Sequence, residues 1–136
     1  MIDKENTPPP KQLKVLLIGD TCIDRYVYGK CSRLSPEGPV PVLEKTRVQQ
    51  TNGMAWNVRE NLMAFGIDVY IMTNEKRPIK TRFVDEKSNQ QIMRLDELDE
   101  IEPFEWDMPK EDFDAMVISD YNKGFLSEDK IFELCD

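Results

Sequence analysis

Four short segments carry side chains of the types that could bind a polar small molecule. The first covers residues 19–24 and holds two aspartates just after a run of aliphatic residues. A carboxylate where a buried strand ends can accept hydrogen bonds from two neighbouring hydroxyls of a polyol. Asp24 is the candidate for this role. The alternative is that Asp20 and Asp24 only cap a turn.

The second segment, residues 52–57, precedes and enters a predicted helix. Gly53 would let a ligand approach the backbone, and the free N–H groups of the helix would form a polar rim. Asn52 and Asn57 add amides that both donate and accept hydrogen bonds. The alternative is an ordinary helix start with a glycine in its turn.

The third and fourth segments supply further polar groups. Lys80 and Arg82 fall on one face of a predicted hairpin, and Gln91 and Arg94 lie on its second strand, where these cations could hold an anion. The alternative is a solvated, charged sheet edge. After a later buried strand come three more polar candidates, which are Asp120, Tyr121 and Lys123. Here the alternative is a polar turn.

The composition excludes several kinds of catalysis. The chain has no histidine, so it has no imidazole base and no histidine zinc site. Its three scattered cysteines form no CxxC pair, and they indicate a reducing, cytoplasmic compartment. There is no GxxxxGK[ST] and no GxGxxG phosphate loop. We therefore predict no metal site and assign no catalytic residue.

The elements that must position these segments follow from the hydrophobic pattern. Short apolar runs predict buried strands over 14–19, 67–73 and 115–118, and helical spacing predicts helices over 54–65 and from Ser127. Segments 25–29 and 40–48 are predicted to pair, and 79–84 with 90–95 to form a hairpin. Residues 96–114 are predicted to form a loop or a short helix, and residues 1–13 a disordered leader.

Charge and hydropathy argue against two classes of partner, nucleic acids and membranes. The net charge is −8, with +4 in residues 1–94 and −12 in residues 95–136. A chain this acidic repels a phosphate backbone, so nucleic-acid binding is not expected. No apolar run is long enough for a membrane span.

The four segments, in this order, resemble the N-terminal half of a ribokinase-like (PfkB family) carbohydrate kinase. They are most similar to the kinase domain of the ADP-heptose synthases, which phosphorylates a heptose 7-phosphate. The resemblance spans residues 14–127 and rests on long, spaced motifs. These are Val15-Leu16-Leu17-Ile18-Gly19-Asp20, Asp24-Arg25-Tyr26, Ser35-Pro36-Glu37, Asn57-Val58, Lys80-Thr81-Arg82, Asn89-Gln90-Gln91, Arg94-Leu95-Asp96 and Ser119-Asp120-Tyr121.

The resemblance implies a truncated ribokinase-like α/β fold over residues 14–136, with a partial parallel sheet, flanking helices and a small β-sheet lid. It implies that Asp24, Gly53 and Asn57 line a sugar pocket and that Lys80, Arg82, Gln91 and Arg94 belong to the lid and substrate face. Asp120, Tyr121 and Lys123 would edge the cleft. ATP and Mg²⁺ are the cofactors of such kinases, and the lid often forms a homodimer contact.

Three departures from the family matter. The paired glycines before the helix are here Asn52-Gly53-Met54, and a strand-and-helix unit expected between Thr73 and Ile79 is replaced by a turn. The Gly-Ala-Gly-Asp motif, whose aspartate deprotonates the acceptor hydroxyl, does not occur in the 136 residues. Three interpretations stay open: part of a sugar kinase that needs a complementary half, a non-catalytic sugar-phosphate-binding or dimerisation module, or a structural domain without a ligand.

Overall fold

The computed structural model describes residues 11–98, 100–105 and 107–135. Nine elements follow in chain order: β1 (Lys14–Gly19), β2 (Thr21–Leu34), β3 (Pro41–Met54), α1 (Ala55–Ala64), β4 (Asp68–Met72), β5 (Ile79–Asp85), β6 (Gln90–Glu97), β7 (Ala115–Ser119) and α2 (Glu128–Cys135). Of the predicted leader, residues 1–10 lie outside the described residues, and Lys11 to Leu13 lead into β1.

The first sheet has three parallel strands in the order β4-β1-β7. Its middle strand, β1, is an aliphatic run with five of its six residues buried, which is typical of a strand covered on both faces. Because all three strands run the same way, their carboxyl ends meet at one edge of this sheet.

Helix α1 returns the chain to that sheet. It ends in a Schellman motif: Gly66 has φ 78° and donates its N–H to Met63 O at 2.9 Å, and Ile67 donates to Leu62 O at 3.3 Å. Glycine adopts this left-handed conformation without strain, so Gly66 can end the helix here. At the other helix, Ser127 Oγ accepts the N–H of Lys130 at 3.1 Å, as an N-cap does.

The main core lies on one face of the parallel sheet. Leu16 and Ile18 of β1 pack there against side chains from the loop before β7 and from the segment that leads into α2. Phe104 and Phe125 meet edge-on with ring centroids 5.5 Å apart. The acidic stretch 96–114 is predicted as a loop or short helix, and its described residues after Glu97 form loop. Ile101 and Phe104 from this loop are buried in the core.

The second sheet, which we call the lid sheet, has the order β3-β2-β5-β6. β2 pairs antiparallel with β3 and parallel with β5, and β5 and β6 form the predicted hairpin. The predicted pairing of 25–29 with 40–48 is confirmed but extends over 14 residues in each strand. The expected α/β class, with a partial parallel sheet, flanking helices and a second sheet, is confirmed.

Candidate functional site

Asp24 lies in the middle of the lid sheet, near the point where β2 and β3 meet helix α1. Its Cα partners are Thr51 on β3 and Lys80 on β5. Arg82 donates from Nη1 to Asp24 Oδ1 at 2.5 Å, and both side chains are mostly buried. The carboxylate is therefore held by one cation and has a second beside it.

Gly53 makes room for this carboxylate. A Cβ added at residue 53 would lie 2.2 Å from Asp24 Oδ2 and 2.8 Å from Cys22 Sγ. Real Cβ atoms do not come that close to other atoms, so a side chain here would displace the carboxylate. The sequence predicts Gly53 for the approach of a ligand to the backbone, whereas in the structure the group that approaches this glycine is the Asp24 carboxylate.

Strand register brings five of the predicted residues to one face of the lid sheet, which we call the site face. Asp24, Lys80 and Asp96 form one row across β2, β5 and β6. Tyr26, Arg82 and Arg94 form the next row, and Gln91 lies opposite Val84 in the row beyond. Directly opposite residues share a face, so Lys80, Arg82 and Arg94 lie on the same face of the sheet, as predicted.

Aromatic rings extend the site face away from Asp24. The rings of Tyr26 and Tyr28 stack with centroids 6.1 Å apart. The Arg82 guanidinium lies 5.3 Å from the Tyr26 centroid, and the Arg47 guanidinium lies 3.5 Å from that of Tyr28. Each cation is attracted by the ring below it, so these contacts fix the arginine side chains in place.

The charge on Arg82 is secured by its partner. The hydrogen bond from Arg82 to Asp24 raises the pKa of the guanidinium, and burial opposes this only in part. Arg94, in contrast, is exposed and donates to Asp96 Oδ2 at 2.9 Å. Arg82 is therefore a mostly buried cation and Arg94 a solvated one, and both are already paired with carboxylates.

The two predicted asparagines lie in different places. Asn57 is exposed in the first turn of α1, three residues after Met54, which pairs with Thr21 of β2. Asn52 pairs with Ile23, which places it on the opposite face of the lid sheet from Asp24. There its Oδ1 accepts a hydrogen bond from Arg77 at 2.8 Å.

The loop after β7 is anchored by Asp20, which is not among the residues that the sequence predicts for the site. Asp20 follows β1 directly and is fully buried, and its Oδ1 accepts the N–H of Tyr121 at 2.9 Å. Within the loop, Asp120 Oδ1 accepts the N–H of Asn122 at 2.9 Å. Lys123 is half-buried and Tyr121 exposed. This loop thus lies at the carboxyl ends of β1 and β7.

Burial sets the ionisation of Asp20. Desolvation raises the pKa of its carboxyl group, and the N–H of Tyr121 opposes this only in part. Its Oδ2 is buried and has no hydrogen-bond partner among the described residues. An aspartate directly after a buried strand is the signal in the sequence, but it does not show that the side chain is buried.

Two classes of site receive no support from the described part of the chain. No group of three or more cysteine, aspartate or glutamate side chains there could hold a metal ion. No helix among the same residues is both long enough and apolar enough to cross a membrane. Chemically, Asp24 can accept hydrogen bonds from hydroxyl groups, and the arginine and lysine side chains can donate hydrogen bonds to anionic oxygens.

Comparison with known proteins identifies relatives of one kind. The chain is 34% identical to the "Bifunctional protein HldE" of Nitratiruptor sp., over 85% of the chain and 32% of the relative. It is 35% identical to HldE of Campylobacter jejuni subsp. doylei, over 84% of the chain and 31% of the relative. This similarity confirms the resemblance to the ADP-heptose synthases indicated by the motifs. The chain spans about a third of the length of these relatives.

The alignment also shows an internal difference in length. The match to the Nitratiruptor protein extends over 152 positions, which exceeds the 136 residues of the whole chain. The relative therefore carries residues inside the matched region that this chain lacks. No family model matches the chain.

The similarity of this chain to solved structures is weaker than its sequence similarity to the HldE proteins. A carbohydrate kinase from Agrobacterium tumefaciens has a TM-score of 0.39 at 14% identity, over 65% of this chain and 36% of that protein. A ribokinase from Thermotoga maritima has a TM-score of 0.36 at 11% identity, over 62% and 36% respectively. Scores at this level carry no argument about the site.

Proposed function

We propose that this homologue of the HldE proteins, the ADP-heptose synthases, binds a sugar phosphate of the heptose phosphate type on the site face of its lid sheet. In this proposal it supplies the substrate-binding part of a carbohydrate kinase that uses ATP and Mg²⁺. The site residues are the predicted set, which is Asp24, Asn52, Gly53, Asn57, Lys80, Arg82, Gln91, Arg94, Asp120, Tyr121 and Lys123.

The placement of Asp24 carries the proposal. Its carboxylate lies over the backbone of Gly53, with Arg82 bonded to it and Lys80 beside it. A carboxylate flanked by cations can accept a sugar hydroxyl while the cations donate to an anionic oxygen of the same ligand. A neutral sugar would use only half of this arrangement, so a sugar phosphate fits it better.

Arg82 also determines how the ligand must bind. Asp24 Oδ1 already accepts a hydrogen bond from Arg82, so a hydroxyl pair that approaches Asp24 competes with the guanidinium or shares the carboxylate with it. Sharing keeps the mostly buried ion pair intact, and leaving one member unpaired would be costly. We therefore propose that the ion pair persists when the sugar phosphate is bound.

Phosphoryl transfer needs more than this surface. It depends on positioning and on charge stabilisation around ATP and its metal ion. In the resembling kinases the Gly-Ala-Gly-Asp motif supplies the base and the anion site, and it does not occur in the 136 residues. We expect the purified chain to show no sugar-dependent ATP consumption in a coupled assay; turnover above the no-sugar background would contradict this.

Because the Gly-Ala-Gly-Asp motif does not occur in the 136 residues, a second candidate is a non-catalytic sugar-phosphate-binding or dimerisation module derived from a kinase. The two candidates differ in whether a complementary kinase half exists. A Gly-Ala-Gly-Asp segment encoded in frame downstream, or in the neighbouring gene, would support the kinase. Its absence from both places would support the module.

The remaining parts of the proposal concern partners and setting. We propose that the chain forms a homodimer through the lid sheet or binds a complementary half, and that it acts in the cytoplasm on a precursor of lipopolysaccharide. Free Cys22, Cys31 and Cys135 fit a reducing compartment. The apolar residues Val48, Val27, Phe83 and Met93, which are direct partners across the four strands of the lid sheet, support the dimer.

The test is a binding measurement on Asp24→Asn, because this variant keeps the shape of the side chain and removes its charge. By mass action, a heptose or hexose phosphate at about 100 times its Kd should stabilise wild type by about 2.7 kcal/mol in thermal unfolding. We expect Asp24→Asn to lose most of this shift, since the carboxylate is the proposed hydroxyl acceptor.

The matched control is Asp68→Asn, the same substitution at an exposed aspartate on β4. It should keep the full ligand-induced shift in melting temperature. A wild type that does not respond to either sugar phosphate would contradict the proposed function. An Asp24→Asn variant that responds as strongly as wild type would contradict the proposed site.

A further inference from the structure

Asp20 lies where several predicted site segments converge. It directly precedes β2, the strand that carries Asp24, and its backbone carbonyl accepts the N–H of Ala55, the first residue of α1, at 3.0 Å. Its side chain binds the loop after β7 through the N–H of Tyr121 at 2.9 Å. One buried residue therefore touches three of the chain segments from which the proposed site is built.

The backbone and the side chain of Asp20 hold different neighbours. The contact with α1 uses the main-chain carbonyl, which any residue provides. The contact with the loop uses carboxylate Oδ1, and only a side chain with an acceptor at that position can provide it. Substitution at residue 20 can therefore release the loop while leaving the helix contact in place.

The surroundings of Asp20 are otherwise well satisfied. Next to it, the Thr21 N–H donates to Asn74 Oδ1 at 2.7 Å, and Asn74 Nδ2 donates to Thr21 O at 3.1 Å. Asp20 Oδ2, in contrast, is buried and has no partner among the described residues. A buried carboxylate is costly unless it is hydrogen-bonded, and the bond that the Asp20 side chain makes goes to the loop.

We propose that Asp20 is a positioning residue that holds the loop of Asp120, Tyr121 and Lys123 in place at the carboxyl ends of β1 and β7, so that the loop can contact the ligand. The part that concerns the ligand rests on the proposed function. The part that concerns the loop does not, because the hydrogen bond to Tyr121 exists without any ligand.

Three variants separate the acceptor from the volume of the side chain. Asp20→Asn keeps an oxygen that can accept the N–H of Tyr121, whereas Asp20→Leu fills the buried space without an acceptor. Asp20→Ala removes both the acceptor and the volume. Agreement between Asp20→Leu and Asp20→Ala excludes an effect of side-chain size.

The matched control is Asp114→Ala. Asp114 Oδ2 accepts the N–H of Lys14 at 2.9 Å. This is also a carboxylate–amide bond between β1 and β7, but it lies at the amino ends of these strands. Losing this bond should lower stability and leave the Tyr121 amide and ligand affinity unchanged.

The measurements are amide hydrogen exchange of the ¹⁵N-labelled chain and titration with mannose 6-phosphate. In Asp20→Leu and Asp20→Ala we expect the Tyr121 amide to exchange at least about tenfold faster, beyond any change in the β1 amides, because the local bond has gone. The Kd for the sugar phosphate should rise about tenfold in both variants and stay within about threefold of wild type in Asp20→Asn.

Each outcome decides one statement. Unchanged Tyr121 exchange in both acceptor-free variants would overturn the positioning of the loop. Faster exchange with an unchanged Kd would show that the loop is held by Asp20 but does not serve the ligand, which overturns the positioning role in binding. If wild type does not bind mannose 6-phosphate or a heptose phosphate, the proposed function fails, and Tyr121 exchange alone decides whether Asp20 holds the loop.

Discussion

At the scale of single residues, the site depends on pairings that composition and spacing could only partly predict. Arg82 and Asp24 were both identified from the sequence, the first as an anion binder and the second as a hydroxyl acceptor. The structure bonds them to each other. The reason is strand register: Tyr26 and Arg82 pair across β2 and β5, one row from Asp24, and a long arginine side chain reaches that far.

The pH dependence of stability should report on buried Asp20. Because burial raises the pKa of this carboxyl group above the value of 3.8 for an unfolded aspartate, the native state binds its proton more tightly than the unfolded state. The stability it contributes is complete below that unfolded value and is lost as the pH rises through the folded-state pKa. Urea unfolding of wild type should therefore lose stability relative to Asp20→Asn as the pH is raised from about 4 to about 7.

Asp85 provides a control of opposite sign. Hydrogen bonds from the Ser88 side chain and backbone lower the pKa of its carboxyl group. Its contribution is present above the unfolded pKa and is lost as the pH falls through the folded-state pKa. Asp85→Asn should therefore remove stability that wild type gains towards neutral pH.

Identical pH profiles for wild type and Asp20→Asn would show that Asp20 ionises as it does in the unfolded chain.

At the scale of elements, most of the architecture could be predicted because local pattern and tertiary packing agree. β1 is an uninterrupted aliphatic run and lies in the middle of its sheet. The strand lengths in the lid sheet could not be predicted, because β2 and β3 continue through polar residues whose pairing comes from the partner strand. Irregularities next to Gly29 and Lys30 let the pairing continue along both strands.

The start of α1 shows a second limit of local reasoning. Met54 has φ 58° and ψ −131°, a conformation that glycine adopts easily and a methionine does not. Its side chain is buried, and packing offsets the local strain. Spacing suggested that the helix began at Met54, whereas it begins at Ala55 because this backbone angle turns the chain out of β3.

The contact between β1 and β7 gives a prediction at this scale. A Cβ added at Gly19 would lie 2.1 Å from the backbone oxygen of Ser119, its partner on β7, and 3.0 Å from Ala55 Cβ. Because a backbone atom cannot move aside as a side chain can, Gly19→Ala should lower the free energy of unfolding by about 3 kcal/mol in urea.

Gly38→Ala is the matched control for this substitution. No atom lies within 4 Å of a Cβ at that turn position, so the change should stay within about 0.5 kcal/mol of wild type. A Gly19→Ala protein as stable as wild type would mean that β1 and β7 do not pack as closely as described.

At the scale of the whole molecule, the proposed site depends on convergence of distant segments. The sequence could name the segments because three of them follow a predicted strand or precede a predicted helix and the other lies on a predicted hairpin. It named Asp24 but could not predict the role of Asp20, because that role depends on burial: Asp20 is fully buried, and Asp24 is half-buried on the site face. Nor could it place Asn52 on the far face, because that depends on the register of β3.

The far face of the lid sheet carries an apolar row that crosses all four strands. The row is formed by Val48, Val27, Phe83 and Met93, which are direct partners in the order β3-β2-β5-β6. Val48 is 47% exposed and Met93 is 52% exposed. Contiguous exposed apolar surface on one sheet face is typical of a protein interface. The proposed homodimer would use this face and leave Asp24 accessible on the other.

The row can be tested without touching the site face. Met93→Lys should convert a dimer into a monomer in multi-angle light scattering at about 100 μM, because a buried, unpaired ammonium is costly in an apolar interface. Met63→Lys on α1, where the methionine is 44% exposed, is the same change outside the row and should leave the dimer intact. A wild type that remains monomeric at this concentration would contradict the dimer. If the Met93→Lys variant is still a dimer, copies associate through another surface, such as the outer strands β4 and β7 of the parallel sheet.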